Sequence, residues 1–218
     1  MDIFNKLSND NEINMILNNI NRINKKKIYA CHGKYHTCFV INTAEYILQS
    51  LSYSSKIVDL GKTAALLHDI GIIAGRKNHA QKSVALASVF LNDYSSILPD
   101  EKEMILQAVE DHSKGINISS AIGAALIIAD KADISKNRLL PDKKLDAWHE
   151  NLLNLRKVEI NIANSAVFIN FITSKDFSKP LFIEVHNKYI SLPIKASSFL
   201  GCSCHFMING KEESLLKG

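Results

Sequence analysis

The spacing of apolar residues most constrains the fold of this chain, because its period changes once along the sequence. From residue 1 to about residue 157, apolar side chains recur at the period of an amphipathic α-helix. Beyond that point they alternate, and two alternating runs separated by Asn164 and Ser165 predict a β-hairpin. The sequence therefore predicts a mainly α protein, with a helical domain over residues 1–156 and a small α+β subdomain over residues 157–218.

Capping residues and glycines mark the ends of the predicted helices. A helix that follows His36 buries one apolar stripe, made up of Phe39, Val40, Thr43, Ala44, Ile47, Leu48 and Leu51. The next covers residues 57–67 and is expected to stop at Gly71. Further helices are expected to begin near His79, at a capping box of Asp100 and Glu103, and at Ser119 or Ser120 after a loop over 113–118.

The pattern is less regular towards the C-terminus. A last helix of the first domain is predicted from the spacing of Leu145, Trp148, Leu152 and Leu155. Residues 181–200 are predicted to be helical with an interruption at Pro193, since proline removes a backbone hydrogen bond. Residues 204–208 are predicted to form a short strand.

Composition and charge narrow the classes of function. The chain has 218 residues and a formal net charge of +4, and its basic residues form no dense patch, so nucleic acid is not an expected partner. The N-terminal residues lack the pattern of a signal peptide, and no apolar run approaches the length of a membrane span. The four cysteines have no regular spacing. The expected location is the cytoplasm, with reduced thiols and no membrane partner.

Several polar side chains occupy positions that helical spacing predicts to be buried. His68 and Asp69 follow directly on the apolar end of a helix. Three others face inward on the apolar stripe of their own helices: His36, His112 and Asp130. His79, at the start of another helix, adds a further imidazole. Because burying a polar group without a partner costs free energy, these side chains are expected to converge on one site.

The residue types at this site indicate a metal ion. Imidazole nitrogens and carboxylate oxygens without thiolate suit a divalent ion such as manganese, iron, cobalt, nickel or zinc, and they do not suit a structural zinc finger. The spacing of the residues does not choose between these metals.

The order and context of these residues resemble the HD-domain superfamily of metal-dependent phosphohydrolases, whose pattern is H, then HD, then D. His36 lies in KYHTCFVINTAEYIL, the pair His68 and Asp69 in AALLHDIG, and Asp130 in ALIIADKAD. The resemblance covers about residues 30–140. It implies an HD-domain helical bundle in which His36, His68, Asp69 and Asp130 hold a divalent metal ion.

The resemblance also implies how the site would work. Some members of the family bind two ions through additional histidines, and His79 and His112 occupy such positions. Asp69 would then bridge the ions, an ion would activate a water to attack phosphorus, and Arg76 or Lys131 would balance the charge of the phosphoryl oxygens. The expected substrate is a small phosphorylated molecule, foremost a nucleotide. Subfamilies that cleave cyclic dinucleotides have a lysine where this chain has Ile72, so that substrate is not expected.

Two other functions remain open: a regulatory module that binds metal or nucleotide without turnover, and a di-iron oxygenase on the same scaffold. Asp133 and Arg138 lie near the site in sequence, but capping or pairing explains them equally well. A homodimer is compatible with the sequence. Some remaining polar residues are interpreted as structural, namely Asp111, His149, His186 and His205. Cys202, Cys204 and His205 are spaced poorly for a metal site.

Overall fold

The computed structural model describes residues 3–24, 30–113, 117–140, 145–185 and 187–215. The helices in this part of the chain are α1 (Ile3–Ser8), α2 (Asn11–Asn24), α3 (Lys34–Ser50), α4 (Ser55–Leu67), α5 (His79–Asn92), α6 (Pro99–Asp111), α7 (Ala121–Ala132), α8 (Ala147–Leu153), α9 (Lys179–Val185) and α10 (Asn187–Phe199). The strands are β1 (Leu155–Ala163), β2 (Ala166–Thr173), β3 (Ser203–Ile208) and β4 (Lys211–Glu212). Two short 3-10 turns cover Ile70–Ala74 and Lys136–Arg138. The mainly α fold with a small C-terminal α+β part is confirmed.

Helix α7 is the centre of the helical part. Every residue from Ile122 to Ala132 is buried, and α3, α4, α6 and α10 all pack against this helix. Its start is fixed by Ser120, whose hydroxyl accepts a hydrogen bond from Gly123 N at 3.2 Å. A helix surrounded in this way has no solvent face, so Asp130 near its end is buried as the sequence predicted.

The role of Gly71 differs from the prediction. Helix α4 ends at Leu67, as predicted, but Gly71 lies inside the following 3-10 turn and does not terminate the helix. A Cβ atom at this position would lie 2.3 Å from Ser83 N and 2.6 Å from the carbonyl oxygen of His79. Glycine is therefore required because the turn approaches α5 closely. A hydrogen bond from Gly71 N to Ser83 Oγ at 2.9 Å stabilises this contact.

The capping box predicted for α6 was assigned to the wrong residues. The helix begins at Pro99, and the Glu101 carboxylate accepts a hydrogen bond from Leu98 N at 3.2 Å. Proline at the first helical position needs no hydrogen-bond partner for its nitrogen, which moves the start one residue ahead of Asp100. The predicted loop before α7 is non-helical at residues 117–119, and its residues 114–116 lie outside the described part of the chain.

The C-terminal sheet has the strand order β1-β2-β3-β4, with β2 and β3 parallel and the other pairs antiparallel. The hairpin turn at Asn164 and Ser165 is confirmed, and both residues have positive φ angles. The predicted strand over 204–208 is also confirmed, beginning one residue earlier.

Two details of this region differ from the predictions. Leu155 is the first residue of β1 and not part of a helix, because α8 ends at Leu153 and Leu155 pairs with Thr173. Pro193 lies inside α10 and does not interrupt it. Ile190, Leu192 and Ala196 of that helix are buried, and their packing offsets the lost backbone hydrogen bond.

The C-terminal elements pack directly on the helical part. Helix α10 lies along α7, and Tyr46 of α3 accepts a hydrogen bond from Ile162 N of β1 at 3.3 Å. One hydrophobic core contains residues of both parts, from Ile3 to Leu215. The division into domains at residue 156 stays a prediction. Among the described helices, none is both long and apolar enough to cross a membrane.

Candidate metal centre

The structure brings together all the side chains that the sequence predicted as metal ligands. Each comes from a different place in the helical part: His36 from α3, His68 and Asp69 from the end of α4, His79 from the start of α5, His112 from the end of α6, and Asp130 from α7. These side chains lie at helix ends or on buried helix faces, and they converge in the interior of the helical part.

A first group of donor atoms surrounds the Nε2 atom of His36. This atom lies 3.1 Å from His68 Nε2, 3.4 Å from Asp130 Oδ1 and 3.5 Å from Asp69 Oδ2. His68 Nε2 is itself 3.3 Å from Asp69 Oδ2. We name these donors, from His36, His68, Asp69 and Asp130, group A. They form a compact set of two imidazole nitrogens and two carboxylate oxygens.

A second group uses the other oxygen of Asp69. Its Oδ1 atom lies 3.5 Å from His79 Nε2 and 3.5 Å from His112 Nε2, and the two nitrogens are 3.2 Å apart. We name these three donors group B. Asp69 therefore faces group A with one oxygen and group B with the other, which is the arrangement of a carboxylate that bridges two ions.

The ring nitrogens on the far side of these imidazoles are all engaged. The Nδ1 atoms of His68, His79 and His112 face the carbonyl oxygens of Ala65, Arg76 and Val109 at 2.7, 3.2 and 2.5 Å. A carbonyl only accepts, so these rings carry a proton on Nδ1 and direct the lone pair of Nε2 into the site. The Nε2 atoms of His79 and His112, 3.2 Å apart, then face each other without a proton donor between them.

A divalent ion fits both groups by distance and by chemistry. Donors on a sphere of about 2.0–2.2 Å around zinc or a similar ion are separated by roughly 3.0–3.6 Å. The four separations given above for group A and the three for group B, 3.1 to 3.5 Å, fall in that interval. The donor set contains nitrogen and oxygen only, as expected for the borderline metals named from the sequence. The cluster can hold a metal ion, and the assignment of each ligand stays a prediction.

The charges at group A also favour the binding of a cation. Burial and the charge of Arg138 lower the pKa of His36, but hydrogen bonds with three carboxylates outweigh both and raise it to about 10. Burial raises the pKa of Asp69, yet the charges of His68 and His32 hold it well below the usual range. In the same way Lys131 and His36 hold the pKa of Asp130 well below its usual range despite burial. Two buried carboxylates are thus kept ionised around a point that attracts cations.

Lys131, predicted as a catalytic residue, is buried and contacts the Asp130 carboxylate through Nζ. Burial alone would lower the pKa of Lys131, and the charge of Asp130 raises it above its usual value. On its other side the ammonium lies 6.0 Å from the ring centroid of Tyr189, a residue of α10. The C-terminal part of the chain therefore reaches the edge of the site, which sequence spacing had not indicated.

Asp133 and Arg138, which the sequence left undecided, lie behind His36. Asp133 Oδ2 is 2.7 Å from His36 Nδ1, and Arg138 Nη1 is 3.0 Å from the same oxygen. Both side chains are buried. They hold the imidazole of His36 from the side opposite its Nε2 atom, as hydrogen-bonding partners of metal-binding histidines commonly do.

His32 was missed by the sequence analysis. Its Nδ1 atom lies 2.7 Å from Asp69 Oδ2, and its Nε2 atom lies 3.3 Å from Arg76 Nη1. Burial lowers the pKa of His32 to about 4 against the opposing charge of Asp69, so the ring is neutral. His32 precedes α3, one helical turn before His36, and this spacing was the only signal in the sequence. Arg76, the other predicted catalytic cation, is exposed at this edge of the site.

The donor side chains differ in their exposure to solvent. Side-chain exposure is 0 to 3% for His36, His68 and Asp69, but 22% for His79 and 11% for Asp130. Among the described donors, those closest to solvent therefore lie at the start of α5 and near the end of α7, and Arg76 and Lys131 are their neighbours in the sequence.

The residues interpreted as structural stay outside the cluster wherever they are described. His149 bonds to Asp146 at 2.7 Å next to the start of α8, and Asp111 lies beside Gln107, which donates to it at 3.0 Å. His186 lies outside the described residues. In the described part of the chain, Cys202, Cys204 and His205 form no group with metal-binding geometry.

The fold and the site together define a helical protein with a buried cluster of histidines and aspartates that can hold divalent ions. Residues 33–138, slightly less than half of the chain, match the family model described as HD domain, which is consistent with the resemblance to the HD-domain superfamily. The match contains every predicted metal ligand and ends at Arg138, and His32 lies one residue before it. No curated protein matches the chain.

Proposed function

We propose that this protein is a metal-dependent phosphohydrolase that cleaves a phosphate ester of a small molecule, foremost a nucleotide. The observation that carries the proposal is the orientation of Asp69, whose two oxygens face two separate sets of imidazole nitrogens. This is the geometry that a pair of ions needs to hold both a nucleophile and a phosphoryl oxygen.

The side chains divide the work in the proposed reaction. A divalent ion supplies Lewis acidity, which lowers the pKa of water to about 7. The donors of groups A and B would hold the ions, and Asp69 would contribute one oxygen to each group. Arg76, which is exposed, and Lys131, which is buried against Asp130, border the opening of the site. Their charges would attract the phosphate and stabilise the negative charge that builds up on its oxygens. The half-exposed ring of Tyr189 borders the same opening.

The surroundings of the site support a small substrate. Ile72, at the position where a lysine marks the cyclic dinucleotide subfamilies, is completely buried and cannot contact a ligand. Arg76 and Lys131 lie close to the cluster, and their two charges suit one phosphate group with a compact leaving group. A nucleoside phosphate meets this description, and Tyr189 offers an aromatic surface beside it.

One alternative has support from the same donors. Nitrogen and oxygen ligands with a bridging carboxylate also suit a pair of iron ions, so a di-iron oxygenase remains the second candidate. The cytoplasm remains the proposed location, supported by the free thiols of Cys31, Cys38, Cys202 and Cys204.

The test combines metal analysis with turnover. Protein purified without chelator is analysed for bound metals, and phosphate release is measured on a panel of nucleoside mono-, di- and triphosphates. Asp69→Ala is compared with Asp100→Ala, which removes an exposed carboxylate on α6. We expect one or two ions per chain, turnover in the wild type and in Asp100→Ala, and none in Asp69→Ala.

Three results would contradict the proposal. Bound metal without phosphate release from any compound favours a regulatory module. Iron together with oxygen consumption favours the oxygenase. If no metal binds after incubation with each of the candidate ions, neither the phosphohydrolase nor the oxygenase hypothesis can hold.

A further inference from the structure

His32 lies outside the segment that matches the HD domain, yet it is in contact with the central carboxylate of the site. The residue is 8% exposed, and both of its ring nitrogens have polar neighbours. Nδ1 is 2.7 Å from Asp69 Oδ2, and Nε2 is 3.3 Å from Arg76 Nη1. His32 is not part of the pattern H, HD, D, so the pattern assigns it no role.

The two contacts fix the tautomer of the imidazole. A guanidinium group can only donate hydrogen bonds, so Nε2 of His32 must accept the one from Arg76. The single proton of the neutral ring is then on Nδ1, which donates to Asp69 Oδ2. The direction of this hydrogen bond follows from Arg76, which itself lies at the surface.

This hydrogen bond acts on the orientation of Asp69. Oδ2 faces group A and also accepts from His32, whereas Oδ1 faces His79 and His112 of group B. Rotation of the carboxylate about its Cβ–Cγ bond would take Oδ1 away from group B. A donor fixed on Oδ2 opposes that rotation.

We propose that His32 is a positioning residue that holds Asp69 in its bridging orientation, and that Arg76 holds His32 in the tautomer that allows it. The inference rests on the proposed two-ion site and deepens it. Group B has three donors and depends on Asp69 for its only carboxylate, whereas group A retains Asp130. Loss of the His32 hydrogen bond therefore weakens the ion at group B and largely spares the ion at group A.

The test measures binding of manganese to the metal-free protein, by calorimetric titration and by electron paramagnetic resonance. Two neighbouring manganese ions give a spin-coupled signal that a single ion does not give. His32→Leu removes the donor, while His32→Asn retains an amide nitrogen at the place of Nδ1. Arg76→Met removes the partner of Nε2, and Lys77→Met is its control, since it removes the neighbouring exposed cation.

We expect the wild type to bind two ions with a coupled signal. In His32→Leu the second ion should bind about 10- to 100-fold more weakly, which is the usual effect of removing a partner of a metal ligand, and the first should be almost unchanged. His32→Asn should restore most of the second affinity. Arg76→Met should show a smaller loss in the same direction, and Lys77→Met none.

The inference is overturned if His32→Leu binds both ions as the wild type does, or if the wild type binds a single ion without coupling. It is also overturned if His32→Leu and His32→Asn weaken both ions equally, because that pattern indicates a general structural role. Should His32→Leu fail to fold, Arg76→Met against Lys77→Met decides the question. Turnover is not part of this readout, so a wild type that binds two ions but releases no phosphate contradicts the proposed function alone.

Discussion

Two clusters of polar side chains, one on the C-terminal sheet and one in the helical part, differ in the partners of their histidine ring nitrogens. On the C-terminal sheet, His205 Nδ1 faces Glu212 Oε1 at 2.6 Å and its Nε2 faces Ser203 Oγ at 2.9 Å. Ser203, His205 and Glu212 are thus hydrogen-bonded in the order of a serine hydrolase triad, but Ser203 and Glu212 are exposed to solvent. In the helical part, the Nε2 atoms of four imidazoles point at one another and at two carboxylates, away from solvent.

The difference teaches how to tell a structural histidine from a ligand. Both nitrogens of His205 have a partner of the correct kind, so the hydrogen bonds account for the residue without any ligand. The Nδ1 atoms of His79 and His112 each face a carbonyl oxygen and carry the proton, so their Nε2 atoms present lone pairs to each other at 3.2 Å. A cation between the two nitrogens would satisfy both lone pairs. The following predictions test whether the two clusters behave as differently as they look.

The largest difference is expected between His68→Ala and His205→Ala. His68 is a member of group A with no exposure, so its loss removes a donor and leaves an unfilled buried volume. We expect phosphate release below about 1% of wild type in His68→Ala, whereas His205→Ala should stay within about twofold. Metal content per chain, measured on the same samples, should fall only for His68→Ala. Equal losses in the two variants would contradict the assignment of the two clusters.

Removal of metal should loosen the two regions to different degrees. An ion present at about 100 times its dissociation constant stabilises the folded chain by about 2.7 kcal/mol. For a chain of this size that corresponds to a melting temperature lower by roughly 5–10 °C in chelator. Hydrogen exchange should become faster in the helices that carry or adjoin the donors, α3, α4, α5, α6 and α7, and remain unchanged in β1, β2 and β3. Faster exchange of the sheet alone would place the ion elsewhere.

Asp133 tests how far the partners of His36 matter. Asp133→Asn keeps the size of the side chain but removes the charge behind His36 Nδ1. We expect the affinity of the first ion to fall about 10- to 100-fold, with the fold retained. Asp146→Asn is the matched control, because that carboxylate accepts from His149 Nδ1 at the same distance of 2.7 Å and neither residue belongs to the described groups that could hold a metal. An unchanged metal affinity in Asp133→Asn would mean that the position of His36 does not depend on this hydrogen bond.

The same contrast explains what the sequence could and could not predict. His36, His112 and Asp130 were found because helical spacing gives the buried face of a helix, and that information is local. His32 lies in a non-helical segment, and its partner Asp69 is brought to it only by the tertiary fold. Periodicity says nothing about such a contact.

The details of the fold that were predicted wrongly also depend on distant residues. Gly71 was read as a helix stop, but the residue is needed because Ser83 of α5 approaches its backbone. Pro193 was expected to interrupt a helix, and the burial of its neighbours on α7 keeps that helix continuous. In both cases tertiary packing decides between two local readings that the sequence leaves equally open.

Gly71→Ala tests the packing that joins groups A and B. The added Cβ would meet backbone atoms of α5, which cannot move aside as a flexible side chain would. We expect a loss of about 1–3 kcal/mol in the free energy of unfolding, measured in urea. Gly201→Ala is the control, although its positive φ angle adds some strain, because nothing lies within 4 Å of its added Cβ. Since α5 begins with His79, Gly71→Ala should also weaken group B more than group A. Equal stability of wild type and Gly71→Ala would show that α5 can shift without cost.

The smallest effect is expected from Glu212→Gln on the C-terminal sheet. The change removes the charge that faces His205 Nδ1, but the carboxylate is 65% exposed and the pair is screened by water. Because ion pairs at such positions contribute about 0.2–1 kcal/mol, the melting temperature should fall by less than about 4 °C, with metal content and turnover unchanged. A fall in turnover in Glu212→Gln, with metal content still at the wild-type level, would indicate that Ser203, His205 and Glu212 take part in the reaction. The distinction between the two clusters would then be lost.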